Sequence, residues 1–267
     1  MIALIASSLD PASRNISKFL VSEFGFEKSS FAGRECFRSG KIVLEVTQSE
    51  LVHAQSVDEL GCEMVYFLSR HRSAGGIASF TTHPLGNWGG EARMGGEPRE
   101  LSFAAPAQML AVLRAISRID AKGVERTYEA THHGPLLKTP SLFVELGGND
   151  AAISDSHLAT LLGRALWDAL DDRGEPAKIA IGIGGSHYPR KFTSLALEKR
   201  YAFSHIMPRH AIVEADGLDN TAMLEQAFAR SNRQAEVAVI EWKSINANTR
   251  NRVIKRLGQM GLDYERA

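Results

Sequence analysis

The stretch SLFVELGGNDAAISDSHLATLLGRALWDALDDRGEPAKIAIGIGG, residues 141–185, decides the fold class. SLFVELG (141–147) is a short apolar run of residues that suit a buried strand. From 155 to 171 the apolar positions shift to helical spacing, with Leu158, Leu161, Leu162, Ala165, Leu166 and Ala169 on one face. KIAIGIGG (178–185) returns to an apolar strand that runs into glycines. Strand, amphipathic helix and strand in succession imply an α/β chain with a largely parallel sheet.

The same alternation extends outward in both directions. Residues 1–7 read as a strand and 11–24 as a helix started by Asp10-Pro11. KIVLEVT (41–47) alternates at period two, and EMVYFLS (63–69) and residues 77–82 are further strands. From Pro106 an apolar stripe of Met109, Val112, Leu113, Ile116 and Ile119 marks a helix, closed at Lys122-Gly123 and followed by a strand at 125–131. AFSHIM (202–207) and EVAVIEW (236–242) are strands; Asp219 caps a helix carrying Met223, Leu224, Ala227 and Phe228; 248–260 is the last helix. The expectation is a single α/β domain over 1–267, its mostly parallel or mixed sheet covered by helices on both faces. Residues 71–101, rich in glycine, read as an insertion, and loops of that length are usually functional or disordered.

Composition bounds the partners. Lys plus Arg and Asp plus Glu number 31 each among 267 residues, so no global field draws the chain to nucleic acid or an anionic membrane. Cys36 and Cys62 stand far apart, which fits a reducing compartment and excludes a thiolate-rich zinc site. The opening MIALIASSL is too short for a membrane span and lacks a basic leader, so a soluble cytoplasmic protein with no membrane partner is expected.

In open α/β sheets ligands bind beyond the carboxyl ends of the strands. Here those ends carry histidines: His71 in SRHRS, His83 in TTHPLGN, the pair His132-His133, His187 in GIGGSHYPRKFT, and His205 in SHIMPRH. If the strand at 125–131 continues, His132 and His133 point to opposite faces and do different jobs. One of them then binds a metal or acts as a general base with Glu129 as orienter or ligand; the alternative is that one faces the pocket and the other bonds a loop carbonyl. GIGGSH lacks the third glycine of a dinucleotide fingerprint, but Gly184 and Gly185 could offer backbone N–H groups to an oxyanion. No phosphate-loop, nucleophile-elbow or H-E-x-x-H pattern occurs, which leaves hydrolysis by an activated water. Local basic runs lie at Arg190-Lys191 and from Lys243 to Arg256, where Arg252 and Lys255 could grip a phosphate backbone or form a solvated helix face.

SRHRS (69–73), TTHPLGN (81–87), EATHHGP (129–135), PSLFVELGG (140–148), GGSHYPRKFT (184–193) and SHI (204–206) together resemble archaeal-type D-aminoacyl-tRNA deacylases, in order along nearly the whole chain. The resemblance implies a zinc-associated hydrolase that cleaves the ester between a D-amino acid and the terminal ribose of tRNA. It also implies a phosphorylase/hydrolase-like α/β fold related to peptidyl-tRNA hydrolase. Its catalytic set would be His71, Glu129, His132, His133 and His187, and its zinc ligands would come from His83, His133, Glu145 and His205. Tyr188, Lys191 and Thr193 would bind substrate; the glycines and basic runs read above add Gly184, Gly185, Arg190, Arg252 and Lys255 as substrate-binding candidates. The implied partner is tRNA charged with a D-amino acid, with no obligate protein partner. The competing readings are a zinc-dependent amidohydrolase or peptidyl-tRNA hydrolase-like enzyme, and a tRNA-binding module without chemistry.

Overall fold

The computed structural model describes residues 1–73, 75–172, 175–212 and 220–267. Asp219, read above as a helix cap, lies outside the described residues. The chain begins β1 (Ile2–Ser7), α1 (Pro11–Glu23), β2 (Glu27–Phe31), β3 (Arg34–Ser39), β4 (Ile42–Thr47), β5 (Met64–Arg72) and β6 (Ser79–His83). A short pair, β7 (Gly86–Asn87) and β8 (Glu100–Leu101), precedes α2 (Pro106–Ser117), β9 (Glu125–Tyr128), β10 (Ser141–Gly148), α3 (Asp150–Ser154) and α4 (Ser156–Leu170). The remainder is β11 (Lys178–Ile183), α5 (Arg190–Lys199), β12 (Tyr201–Met207), α6 (Arg209–Ile212), α7 (Leu224–Ala229), β13 (Val237–Ile240), α8 (Ala247–Gln259) and β14 (Tyr264–Arg266).

These strands form a mixed eight-stranded sheet, ordered β2-β3-β4-β1-β5-β10-β6-β9, and a parallel four-stranded sheet, β12-β11-β13-β14. The strand–helix–strand unit of residues 141–185 therefore crosses from one sheet to the other, since β10 belongs to the first and β11 to the second. On one face of the large sheet, Leu4, Tyr66, Leu68, Leu142 and Val144 meet the apolar stripes of α1, α2 and α4 in a core that continues into the second sheet. α2 packs against both β6 and β12 and so joins the two sheets. The opposite face carries a smaller core of Ile5, Val65, Phe67, Phe143 and neighbours, covered by 3-10 turns at Leu51–His53 and Gln55–Leu60 and by Leu85 and Leu137.

Local signals explain the boundaries. Asp10 caps α1 by accepting from the N–H groups of Ala12 and Ser13 at 2.9 and 3.2 Å, with Pro11 in the first turn. Its other oxygen accepts from the N–H of Arg70 at 2.7 Å, tying the start of α1 to the end of β5. The β2–β3 hairpin goes unread in the sequence because EKSSF and RECFRS are polar and largely exposed. Among the described residues no helix is long and apolar enough to cross a membrane.

Candidate active site

Three strand ends build the site. In the large sheet Glu145 of β10 pairs with Ser69 of β5 on one side and Thr81 of β6 on the other, and Phe143 pairs with His83. Side chains alternate along a strand, so Phe67, Ser69 and His71 share the face that carries Phe143 and Glu145. Its inner positions are apolar and belong to the smaller core, and its outer positions bring His71, Glu145 and His83 together.

The fourth contribution leaves the sheet. β9 stops at Tyr128, where the hydroxyl of Thr193 accepts from the Tyr128 N–H at 3.1 Å and bonds the Thr127 hydroxyl at 2.9 Å. Residues 129–131 then bridge the sheets, with Glu129 N–H donating to Thr82, Ala130 N–H to His187 and Thr131 N–H to Ile206, at 2.8–3.1 Å. Because the strand ends early, the period-two expectation for His132 and His133 does not hold. His133 adopts φ +43°, and both rings turn into one cluster, 4.3 Å apart and 4.1 and 4.9 Å from the ring of His83.

The glycine-rich segment braces this turn. Gly86 N–H donates to His133 O at 2.7 Å, and Gly134 N–H donates to Met94 O at 3.0 Å. A Cβ on Gly134 would stand 2.1 Å from the nitrogen of Gly96, and a Cβ on Gly95 would stand 1.8 Å from the carbonyl oxygen of Val52. The Asn87 amide closes the loop by donating to Gly95 O and Glu97 O at 2.9 and 3.2 Å. Glycine is required here for backbone-to-backbone approach.

Glu129 is the electrostatic centre. Its Oε2 lies 2.8 Å from His187 Nε2, 3.2 Å from His71 Nδ1 and 3.6 Å from His132 Nε2. Glu145 Oε2 lies 3.4 Å from His71 Nδ1 and 3.5 Å from His83 Nε2. Burial works against a charged ring at His71 and His83, yet Glu145, within 3.4 and 3.5 Å of the two rings, and the charge of Glu129 together raise both pKa values. Burial likewise opposes ionisation of Glu145, but His71 and His83 outweigh it and hold the carboxyl far below its usual range. Burial and then the neighbouring imidazoles lower His132 well below the ordinary histidine value, and burial with His83 beside it lowers His133 to about 4. His71 is also held by the Tyr188 hydroxyl at 2.7 Å from its Nε2.

This donor set fits a metal ion. Both oxygens of Glu129, Oε2 of Glu145 and Nε2 of His83 are buried without a properly directed hydrogen bond, an expensive condition unless a further partner binds. Nδ1 of His83, His132 and His133 each lies 2.7–3.1 Å from a backbone carbonyl, of Pro84, Ala130 and Gly134. A carbonyl only accepts, so each Nδ1 carries a proton; the neutral rings of His132 and His133 present a bare Nε2, while Nε2 of His83 faces Glu145 and would give up its proton on binding a metal. Ligand atoms of these three rings lie within 4.8 Å of one another, as do those of His83, Glu129 and Glu145 and of His71, Glu129, His132 and His187.

A family model described as D-aminoacyl-tRNA deacylase matches residues 58–265. The chain belongs to the D-aminoacyl-tRNA deacylase family. It is 32% identical over 274 residues to the D-aminoacyl-tRNA deacylase of Pyrococcus furiosus, covering 99% of both chains. To the D-aminoacyl-tRNA deacylase of Ignicoccus hospitalis it is 38% identical over 196 residues, 73% of this chain and 78% of that one. A crystal structure described as a conserved protein of unknown function superposes with TM-score 0.90 at 30% identity, covering 100% of this chain and 95% of that one.

In this deacylase-family chain the structure brings His71, His83, Glu129, His132, His133, Glu145, His187 and Tyr188 together. It separates the others. His205 is fully buried beside the site, with Nε2–H donating to Arg230 O at 3.1 Å and Nδ1 3.3 Å from the Thr131 hydroxyl, so neither ring nitrogen is open to a metal. The N–H groups of Gly184 and Gly185 donate to Met207 O and Ser244 Oγ, both at 2.8 Å, which removes them as an oxyanion hole. Thr193 bolts the end of β9, and Arg190 pairs with Glu125 at 3.0 Å on the surface. Lys191 is exposed, and Arg252 and Lys255 lie exposed on α8, which packs against the turn Asn220–Met223 and gives no residue to the histidine cluster.

Two cavities open onto the cluster, of about 520 and 690 Å³, and both are lined by Asn87, Glu91, His132, His133 and His187. Glu50, Arg70, Asn87, Glu91 and His210 line them and escaped the sequence reading. Arg70, Asn87 and His210 stand within SRHRS, TTHPLGN and SHIMPRH, on β5, β7 and α6; Glu50 and Glu91 sit outside the strands and helices and carried no signal.

Proposed function

We propose that this chain hydrolyses the ester joining a D-amino acid to the terminal ribose of tRNA, and acts in the cytoplasm where charged tRNA is found. The observation that carries the reading is the convergence of five imidazoles and two buried carboxylates in one cluster, of which His132, His133 and His187 line both cavities, in a chain of this family. Binding RNA needs no such cluster. His83, His132 and His133 would hold zinc, for which neutral imidazole nitrogens are apt ligands. Bound there, zinc would supply Lewis acidity toward the carbonyl and toward a water.

The remaining residues handle protons. Glu129, 2.8 Å from His187 Nε2, orients that ring and stabilises the charge it acquires. His187 Nδ1, which bonds no described residue, takes the proton of the attacking water as the new C–O bond forms, then returns it to the ribose oxygen as the ester bond breaks. His71, held by Glu129 and Glu145, donates through Nε2 to the Tyr188 oxygen, which frees the Tyr188 proton for the developing oxyanion.

Glu129→Gln and His187→Ala should each lower kcat for D-aminoacyl-tRNA by about 100-fold or more, in folded protein with KM changed only a few-fold. Full activity in both would remove this acid–base pair from the mechanism.

A further inference from the structure

The two cavities share Asn87, Glu91, His132, His133 and His187. All but one of these already have a task. His132 and His133 spend Nδ1 on the carbonyls of Ala130 and Gly134 and keep Nε2 for a metal. His187 Nε2 faces Glu129 at 2.8 Å, and Glu91 pairs with Arg93 at 3.0 Å, both of them exposed. Asn87 remains.

Its place is fixed from both sides. Gly86 N–H donates to His133 O at 2.7 Å, Trp88 Nε1–H donates to Thr131 O at 3.1 Å, and Leu85 bridges to His132. Residues 85–88 therefore run along 131–133, which sets Asn87 beside the histidine pair. Its amide is fixed as well, because Nδ2 donates to Gly95 O at 2.9 Å and to Glu97 O at 3.2 Å. Carbonyls only accept, so the nitrogen must lie on that side, and both of its protons are used. Oδ1 is left over and accepts from no described residue. Asn87 thus presents to the cavities an acceptor that cannot flip into a donor without breaking two hydrogen bonds.

The chemistry of an aminoacyl ester says what such an acceptor meets. The α-ammonium group is attached to the carbon next to the reacting carbonyl and brings N–H donors and no acceptor. Imidazole nitrogens claimed by a metal offer it no lone pair. We propose that Asn87 Oδ1 accepts a hydrogen bond from the α-ammonium group of the substrate, so that Asn87 selects acyl groups with an ionised α-amine and holds their carbonyl over His132, His133 and His187. This assignment rests on the function proposed above. Hydrogen bonds to a charged donor are the strong kind, and an amide already oriented by its own loop loses little freedom in making one. The ribose 2′-hydroxyl and the attacking water are also donors, and the test separates them from the amine.

The test measures kcat/KM on D-tyrosyl-tRNA and on its des-amino counterpart, 3-(4-hydroxyphenyl)propionyl-tRNA, for the parent and for Asn87→Ala. The parent should prefer the tyrosyl ester by about tenfold or more, and Asn87→Ala should narrow that preference by about tenfold. Loosening of the loop through the lost Nδ2 bonds lowers both substrates alike and leaves the ratio where it was. On D-tyrosyl-tRNA ending in 2′-deoxyadenosine, Asn87→Ala should lose as much as on the ordinary substrate. A parent that treats the two acyl groups alike would overturn the assignment, and so would equal losses on both in Asn87→Ala, which assign Oδ1 to the water or the loop. A loss that vanishes with the 2′-deoxy terminus would overturn it in favour of the ribose. Equilibrium binding of the same two acyl groups, amide-linked to tRNA ending in 3′-amino-3′-deoxyadenosine, is independent of turnover. Should the parent hydrolyse neither ester yet bind the tyrosyl amide more tightly in an Asn87-dependent way, the hydrolytic reading fails and the amine site stands.

Discussion

His133 and His205 look alike in the sequence, each a histidine near the end of a strand, and the structure gives them opposite fates. His133 spends one nitrogen on the Gly134 carbonyl and keeps the other for the cluster; His205 spends both on Arg230 and Thr131. Residue type and position carry no record of which carbonyl lies within 3 Å, so the motifs named the right neighbourhood and could not divide its members. The consequence is separable by measurement. His205→Ala should lower stability by about 1–3 kcal/mol, because a buried hydroxyl and a buried carbonyl lose their partner, and should leave the zinc-to-protein ratio at its parent value. His133→Ala should cut that ratio with a smaller effect on thermal denaturation. A lost metal site in the His205 variant would contradict the tautomer argument.

At the scale of elements, the strands and helices with strong periodicity were legible, and the failures have specific causes. RTYEAT suits a strand as far as Thr131, but the segment after Tyr128 is claimed by hydrogen bonds to Thr82, His187 and Ile206. That early ending turns the His132-His133 pair into one cluster. The glycine-rich segment offered no periodicity, and its role is set by distances that only the folded chain defines. Gly95 has φ +74° and faces the Val52 carbonyl at 1.8 Å from its would-be Cβ, whereas Gly123 has φ +78° with nothing within 4 Å. Gly123→Ala should cost about 1–2 kcal/mol from the left-handed backbone alone. Gly95→Ala should cost clearly more, and its folded fraction should show lowered kcat because the brace on His133 has shifted. Equal losses in the two variants, read from denaturant unfolding, would show that the brace does not matter.

For the whole molecule, α/β alternation was readable, but the division into two sheets was not: β10 and β11 are both apolar runs, and nothing local says that they join different sheets. That division creates the site, since residues 129–131 bond to Thr82 of the large sheet and to Ile206 of the small one. The histidines meet where the sheets do, and cavities open on both sides of them. The central proposal is a hydrolytic centre that holds zinc and prefers the D-stereoisomer. The most direct test is release of amino acid from matched D- and L-aminoacyl-tRNAs, each with and without a chelator. The account predicts release from the D-substrate far above the spontaneous rate, little from the L-substrate, and loss of activity with chelator that added zinc restores. Equal release from both stereoisomers, or release no faster than spontaneous hydrolysis, would contradict it.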